Sequence, residues 1–153
     1  MRILGIDPGT GIVGFGIIDR DGMKNTLVDA GVIRTPANTP PQERLETIYN
    51  DLKEIISMHK PNIMVVEQLF FAKNVTTAMT VSQARGVILL LGEQMKLEIH
   101  EFTPLQIKQA LTGYGRAGKG QMQEMVRLQL NLREIPRPDD AADALAAALT
   151  FSG

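Results

Sequence analysis

Apolar and polar residues alternate in the first third of the chain, which is the pattern of half-buried β-strands. Three such segments occupy residues 1–6, 13–18 and 27–33, and a turn at Asp21 and Gly22 separates the last two. Because the connections are short, we expect three sequential antiparallel strands. The first part of the chain therefore predicts a β-meander.

After Pro40 and Pro41 the apolar spacing changes to three and four residues, which predicts an amphipathic helix that ends before Pro61. Short apolar segments further along predict two more strands, and Thr103, Pro104 and Gln106 form the capping-box pattern of a helix start. The later elements are a strand at 63–66, a helix at about 76–95, a strand at 98–102, and helices at 104–112, about 121–130 and 139–151. This order predicts a single α/β domain over residues 1–153, with a five-stranded mixed sheet flanked by helices on both faces.

Composition narrows the class of protein. The chain has 153 residues, no Cys and a net charge of −1, so disulfides, Cys-ligated zinc and thiol nucleophiles are excluded. The first strand starts at Met1, and apolar runs such as residues 87–91 are far shorter than a membrane span, so we expect no leader and no membrane span. The sequence thus predicts a cytoplasmic protein. Residues 103–137 carry six basic against two acidic residues, a basic flank that a near-neutral total conceals.

Two carboxylates follow predicted strands. Asp7 ends the first strand and Glu67 ends the fourth. If these strands are parallel neighbours, their ends lie about 5 Å apart at the edge where α/β sheets bind ligands. Two carboxylates that close would repel each other unless a cation lies between them. Asp7 could instead simply form the turn that follows it.

Two further carboxylates lie in the final helix, whose other residues are almost all alanine and leucine. Asp140 and Asp143 are three residues apart and therefore share one face. Asp is a poor residue for a helix interior, so Asp143 in a core helix indicates a function. Asp140 could instead favour the helix dipole, and Asp139 has the residue type of an N-cap.

The four carboxylates together would make a site of hard oxygen ligands, which suits Mg²⁺ or Mn²⁺ and does not suit zinc. Two such ions about 3.5–4 Å apart activate water and stabilise the leaving oxygen in phosphodiester hydrolysis. The carboxylates by themselves therefore predict a divalent-metal site for phosphodiester chemistry.

Four segments resemble the RuvC Holliday-junction resolvase family and occur in the family's order. They read ILGIDPGT at 3–10, VEQLFFAKN at 66–74, QARG at 83–86 and DDAADALA at 139–146. The resemblance implies an RNase H-like fold and a homodimer in which each subunit nicks one of two opposed strands of a four-way DNA junction. It also implies a branch-migration helicase as partner and hydrolysis that leaves 5′-phosphate and 3′-hydroxyl ends.

The resemblance further implies that Asp7, Glu67, Asp140 and Asp143 are the catalytic metal ligands, for two Mg²⁺ or Mn²⁺ ions. Some family members have histidine in place of Asp140. The family also commonly has a longer C-terminal tail than this chain, which leaves a contribution of the tail to DNA binding open. From the resemblance and the basic flank we expect six DNA-binding residues: Phe70, Lys73, Arg85, Lys108, Arg116 and Lys119.

Alternatives remain at three places. Residues 113–120 nearly match a phosphate loop, but Gly120 replaces its hydroxyl residue and a helix precedes it, so we interpret them as a basic loop or a plain helix connector. The apolar helix at 76–95 is either core or the dimer element. Another RNase H-like nuclease, or an actin or sugar-kinase-like ATPase fragment, is the alternative function, although ATPases of that group need a second domain.

Overall fold

A computed structural model describes residues 1–9, 11–68 and 75–152. These residues form five strands and five helices. The strands are β1 (Arg2–Asp7), β2 (Ile12–Asp21), β3 (Lys24–Arg34), β4 (Ile63–Glu67) and β5 (Glu98–Phe102). The helices are α1 (Pro41–His59), α2 (Val75–Gln94), α3 (Pro104–Thr112), α4 (Lys119–Gln129) and α5 (Asp139–Thr150).

All five strands belong to one mixed sheet with the order β3-β2-β1-β4-β5. β1, β2 and β3 pair in antiparallel fashion, whereas β4 pairs in parallel with β1 and with β5. The predicted meander is confirmed, and the condition for bringing Asp7 and Glu67 together, a parallel pairing of the first and fourth strands, is met. Consequently β1, β4 and β5 all end at the same edge of the sheet.

Two hydrophobic layers cover the two faces of this sheet. On one face Ile3 and Val65 pack with α3, α4 and α5, and on the other Leu4 and Val66 pack with α1 and α2. Successive residues of a strand point to opposite faces, so each buried strand contributes to both layers. The expected sheet with helices on both faces is confirmed.

The helix α5 lies directly on the backbone of β1 and β2. A Cβ atom added to Gly5 would lie 2.0 Å from the carbonyl oxygen of Ala144, and one added to Gly14 would lie 2.0 Å from that of Asp140. Only glycine permits an approach this close. The alanines of α5 serve the same purpose from the helix side, which explains why this helix is so rich in small residues.

Several helix boundaries differ from the sequence prediction. Lys119 is the first residue of α4, so it belongs to a helix and not to the preceding loop. The N-cap position of α5 is occupied by Pro138, and the interpretation of Asp139 as an N-cap is therefore wrong. The predicted capping box of α3 is confirmed, because Thr103 Oγ1 accepts from Gln106 N and Gln106 Oε1 accepts from Thr103 N.

The helix α2 also departs from the expectation that nothing in the chain resembles a membrane span. By length and composition alone it could cross a membrane. Its inner residues, among them Ile88 and Leu91, are buried against the sheet layer, and its Arg85 forms an ion pair with Glu101 of β5. The core helix of a soluble protein has the same length and composition.

Candidate metal centre

The parallel pairing of β1 and β4 places two carboxylates beside each other. Asp7 is the last residue of β1, and Glu67 is the last residue of β4. The residues directly before them, Ile6 and Val66, are register partners in the sheet. Adjacent strands lie about 4.8 Å apart. The predicted juxtaposition of Asp7 and Glu67 therefore follows from the register of the sheet.

The first two turns of α5 bring two more carboxylates to the same edge. The close contact of α5 with Gly14, which is the register partner of Asp7 in β2, sets the distance between helix and strand. One carboxylate oxygen from each of Asp7, Asp140 and Asp143 lies within 4.8 Å of the others. Oxygen atoms at this separation can be bridged by divalent cations, and all three side chains are partly buried.

Burial and mutual repulsion disfavour the charged forms of these acids. Burial, then the charges of Glu67 and Asp143, a hydrogen bond with Glu67 and the charge of Asp140 raise the pKa of Asp7 to about 9. Burial is also the main cause that raises the pKa values of Glu67 and Asp143. Carboxyl groups that resist ionisation in one cluster indicate a site whose charge is completed by cations.

A cleft opens beside the acids between β4, α3, α4 and α5. Glu67 and Asp143 line it together with Lys108 of α3 and Lys119 of α4. The two lysines lower the pKa values of the acids they face, Lys108 that of Glu67 and Lys119 that of Asp143, against the larger effect of burial. The structure thus brings these two predicted basic residues to the wall of the acidic site.

The other predicted DNA-binding residues have different surroundings. Arg116 is exposed on the loop between α3 and α4. The guanidinium of Arg85 contacts Glu101, and its Nε has no hydrogen-bond partner among the described residues. Phe70 and Lys73 lie outside the described residues.

Sequence reasoning missed two features of the site. Asp139 Oδ2 lies 2.9 Å from Lys119 Nζ and its other oxygen accepts from Gln123 Nε2, so it joins α5 to α4 beside the acids. The hydrogen bond to Asp139 raises the pKa of Lys119. The second missed feature is the contact of the β1 and β2 glycines with α5. The sequence signal for it was that Gly14 and Gly16 are two residues apart and therefore lie on one face of a strand.

Comparison with known proteins gives a family. The model of the family described as crossover junction endodeoxyribonuclease RuvC matches residues 3–151. This chain belongs to the RuvC family. A RuvC crossover junction endodeoxyribonuclease of Heliobacterium modesticaldum is 55% identical over 149 residues, 97% of this chain and 92% of that protein. A relative of the same name from Chloroflexus aggregans is 56% identical, again over 97% of this chain and 91% of its own length.

Solved structures agree with the family assignment. RuvC from T. thermophilus in complex with a Holliday junction substrate superposes with a TM-score of 0.93 at 36% identity, covering 98% of this chain and 92% of that one. The yeast mitochondrial Holliday junction resolvase superposes with a TM-score of 0.73 at 14% identity, over 97% of this chain and 76% of that one, which shows a shared fold alone. The RNase H-like fold expected from the resemblance is confirmed.

Proposed function

We propose that this chain resolves four-way DNA junctions as a metal-dependent, structure-selective endonuclease that leaves 5′-phosphate and 3′-hydroxyl ends. The observation that carries the proposal is the convergence of Asp7, Glu67, Asp140 and Asp143 at one sheet edge in a member of the RuvC family. The T. thermophilus relative with a Holliday junction substrate supports the choice of substrate. Residues 1–153 would act as one nuclease domain in the cytoplasm, where the DNA lies.

The donor set suits two Mg²⁺ or Mn²⁺ ions held by the four acids. The donors are carboxylate oxygens from rigid positions, two strand ends and one helix turn, and no Cys is present to favour a softer metal. When bound, such ions supply the Lewis acidity that activates water and stabilises the leaving 3′ oxygen. The acids must ionise to bind them, so cation binding and proton release are coupled here.

The remaining charged side chains position the substrate. Lys108 and Lys119 face the cleft and would pair with phosphate oxygens beside the scissile bond, which offsets the repulsion between DNA and the four acids. Asp139 holds Lys119 at the cleft. Arg116, Arg85, Phe70 and Lys73 complete the proposed DNA contacts, with Phe70 as the aromatic that stacks near the junction centre.

Paired nicks need two centres, and we propose a homodimer formed through α2. This helix is strongly apolar, and its outer face exposes the large apolar side chains of Met79 and Leu90. Exposed apolar patches of this kind mark protein interfaces. A branch-migration helicase would present the junction to the dimer.

The test is cleavage of a synthetic four-way junction, with a linear duplex of the same sequence as control. Wild-type protein should nick two opposed strands of the junction symmetrically in Mg²⁺ or Mn²⁺ and leave the duplex intact. Asp7→Asn should bind the junction and leave it uncut, since a neutral amide cannot complete the cation site. Full activity of Asp7→Asn would disprove the metal centre, and equal cutting of the duplex would favour a less selective RNase H-like nuclease.

The role of Lys119 has a separate test. Lys119→Ala should weaken junction binding. It should also lower the slope of log affinity against log salt concentration by about one, because each phosphate contact releases about one counterion. Lys53→Ala on α1 is a control with the same change in charge. An unchanged salt slope would remove Lys119 from the DNA-binding set.

A further inference from the structure

Two arginines lie at the same sheet edge as the acids, on the side away from Lys108 and Lys119. Arg34 is the last residue of β3 and the register partner of Ile12, which lies two residues beyond Gly14, the partner of Asp7. Two strand spacings and two residues of strand length place the Cα atom of Arg34 about 12 Å from that of Asp7. Arg34 is therefore beside the acids and displaced outward from the sheet edge.

Arg44 reaches this place from the first turns of α1. Its Nε donates to Thr35 Oγ1 at 3.2 Å, and Thr35 N donates to the carbonyl oxygen of Gly11 at 2.9 Å. Thr35 is buried. These contacts hold one side of the guanidinium against the loop that follows Asp7, and no hydrogen bond involving Arg44 Nη1 is found within the described part of the chain.

Arg34 and Arg44 line one open depression together with Gly11, Ile12 and Thr35. No acidic side chain lines it, and neither arginine forms an ion pair among residues 1–9, 11–68 and 75–152. Arg44 and Thr35 also line a second cleft that reaches Gly9, two residues after Asp7. Two guanidinium groups without an ion pair among the described residues thus border this depression, and one of them also borders the cleft that reaches Gly9.

We propose that Arg34 and Arg44 form a phosphate-binding subsite for the DNA backbone on the β3 and α1 side of the cleavage site. This inference rests on the proposed function. Guanidinium groups bind phosphate oxygens through paired hydrogen bonds, and the contact with Thr35 orients that of Arg44 in advance. A duplex rises 3.4 Å per nucleotide along each strand, so a displacement of about 12 Å along the duplex would correspond to about three to four nucleotides from the scissile phosphate. With Lys108 and Lys119 on the other side, basic groups would hold the DNA on both flanks of the acids.

The experiment measures the salt dependence of DNA affinity for Arg34→Gln, Arg44→Gln and the double variant, with a labelled four-way junction and a labelled linear duplex as probes and without divalent metal. Each substitution should lower the slope of log affinity against log salt by about one, and the double variant by about two. Lys24→Gln is the matched control, because Lys24 starts β3 at the opposite edge of the sheet. It should leave the slope unchanged.

Arg34→Gln is the decisive variant, because the Arg34 side chain is exposed and forms no hydrogen bond or ion pair within the described residues. An unchanged slope for both Arg34→Gln and the double variant would overturn the subsite. Slower junction cleavage by Arg44→Gln with an unchanged salt slope would also contradict the subsite. Arg44 would then only stabilise the position of Gly11 after Asp7. If wild-type protein leaves the junction uncut, the proposed function fails separately, and the slopes on the linear duplex still decide the subsite.

Discussion

The two faces of the sheet are packed in different ways. On the α5 side, glycines of β1 and β2 meet the backbone of an alanine-rich helix, and the separation is set by main-chain atoms. On the α1 and α2 side, large side chains such as Ile6, Leu52 and Ile88 fill the space between helix and strand. The first arrangement fixes the position of a helix, whereas the second chiefly stabilises the fold.

This difference matches the location of the acids. Asp140 and Asp143 lie on α5, whose distance from the sheet is fixed by backbone contact. Their partner Asp7 lies on β1, one of the strands that α5 contacts. Side-chain layers relax when one group is changed, but two backbones that already touch cannot move closer. The site therefore depends most on the smallest residues of the protein.

Gly14→Ala tests this conclusion with the largest expected effect. The added methyl group would lie 2.0 Å from the carbonyl oxygen of Asp140, so α5 must move away from β2 and take Asp140 and Asp143 with it. We expect junction cleavage to fall by about 10²-fold or more, as displacements of about 1 Å at reacting groups do. Single-turnover cleavage and calorimetric titration with Mn²⁺ would measure the losses of rate and of metal affinity. Wild-type metal affinity in this variant would show that the contact does not position the acids.

Leu52→Ala makes the opposite kind of change on the other face. Leu52 is fully buried between α1 and the sheet, so its truncation should destabilise the protein by about 2–5 kcal/mol through lost burial and a cavity. The molecules that stay folded should still cut junction DNA at the wild-type rate, because the α5 contact is untouched. Denaturant unfolding and single-turnover cleavage at low temperature separate the two quantities. A folded Leu52→Ala protein that cuts as slowly as Gly14→Ala would abolish the distinction between the faces.

The sequence predicted much of this arrangement, and the omissions have a physical cause. Periodicity located the strands and helices, and the positions of Asp7 and Glu67 at strand ends predicted their proximity on the condition that the two strands were parallel neighbours. Which helix lies on which strands depends on contacts distant in sequence, and no local pattern showed that Gly14 meets α5. The pairing of Lys119 with Asp139 likewise depends on how α4 and α5 pack. The residues at 69–74, with the prediction for Phe70, lie outside the described residues.

Burial of the acids, together with the repulsion among them, predicts a pH dependence of intermediate size. The pKa of Asp7 is raised from 3.8 to about 9 in the folded protein, so between these values the folded state without metal holds a proton that the unfolded state has lost. Its stability should therefore fall as pH rises through this window, by up to about 1.4 kcal/mol for each pH unit. Thermal unfolding in chelator from about pH 5 to pH 9 measures it.

Asp7→Asn is the control for that slope, because the amide does not ionise. In chelator it should unfold at a higher temperature than wild-type protein at the alkaline end, by about 2–4 °C for each kcal/mol of relieved repulsion. Added Mg²⁺ should raise the unfolding temperature of wild-type protein most at alkaline pH and leave Asp7→Asn nearly unchanged. Equal pH slopes for the two proteins would remove Asp7 as their source.

Gly86→Ala has the smallest expected effect and completes the comparison. Gly86 lies within α2 on its outer side, and a Cβ atom added there meets nothing within 4 Å. Because alanine is the better helix former, the variant should gain about 0.5–1 kcal/mol, where the same substitution at Gly14 is damaging. Urea unfolding at several protein concentrations measures the gain and shows whether it depends on association. A loss of stability that grows with protein concentration would mean that a second copy of the chain packs against α2 at Gly86, and that this face, like that of α5, depends on backbone contact.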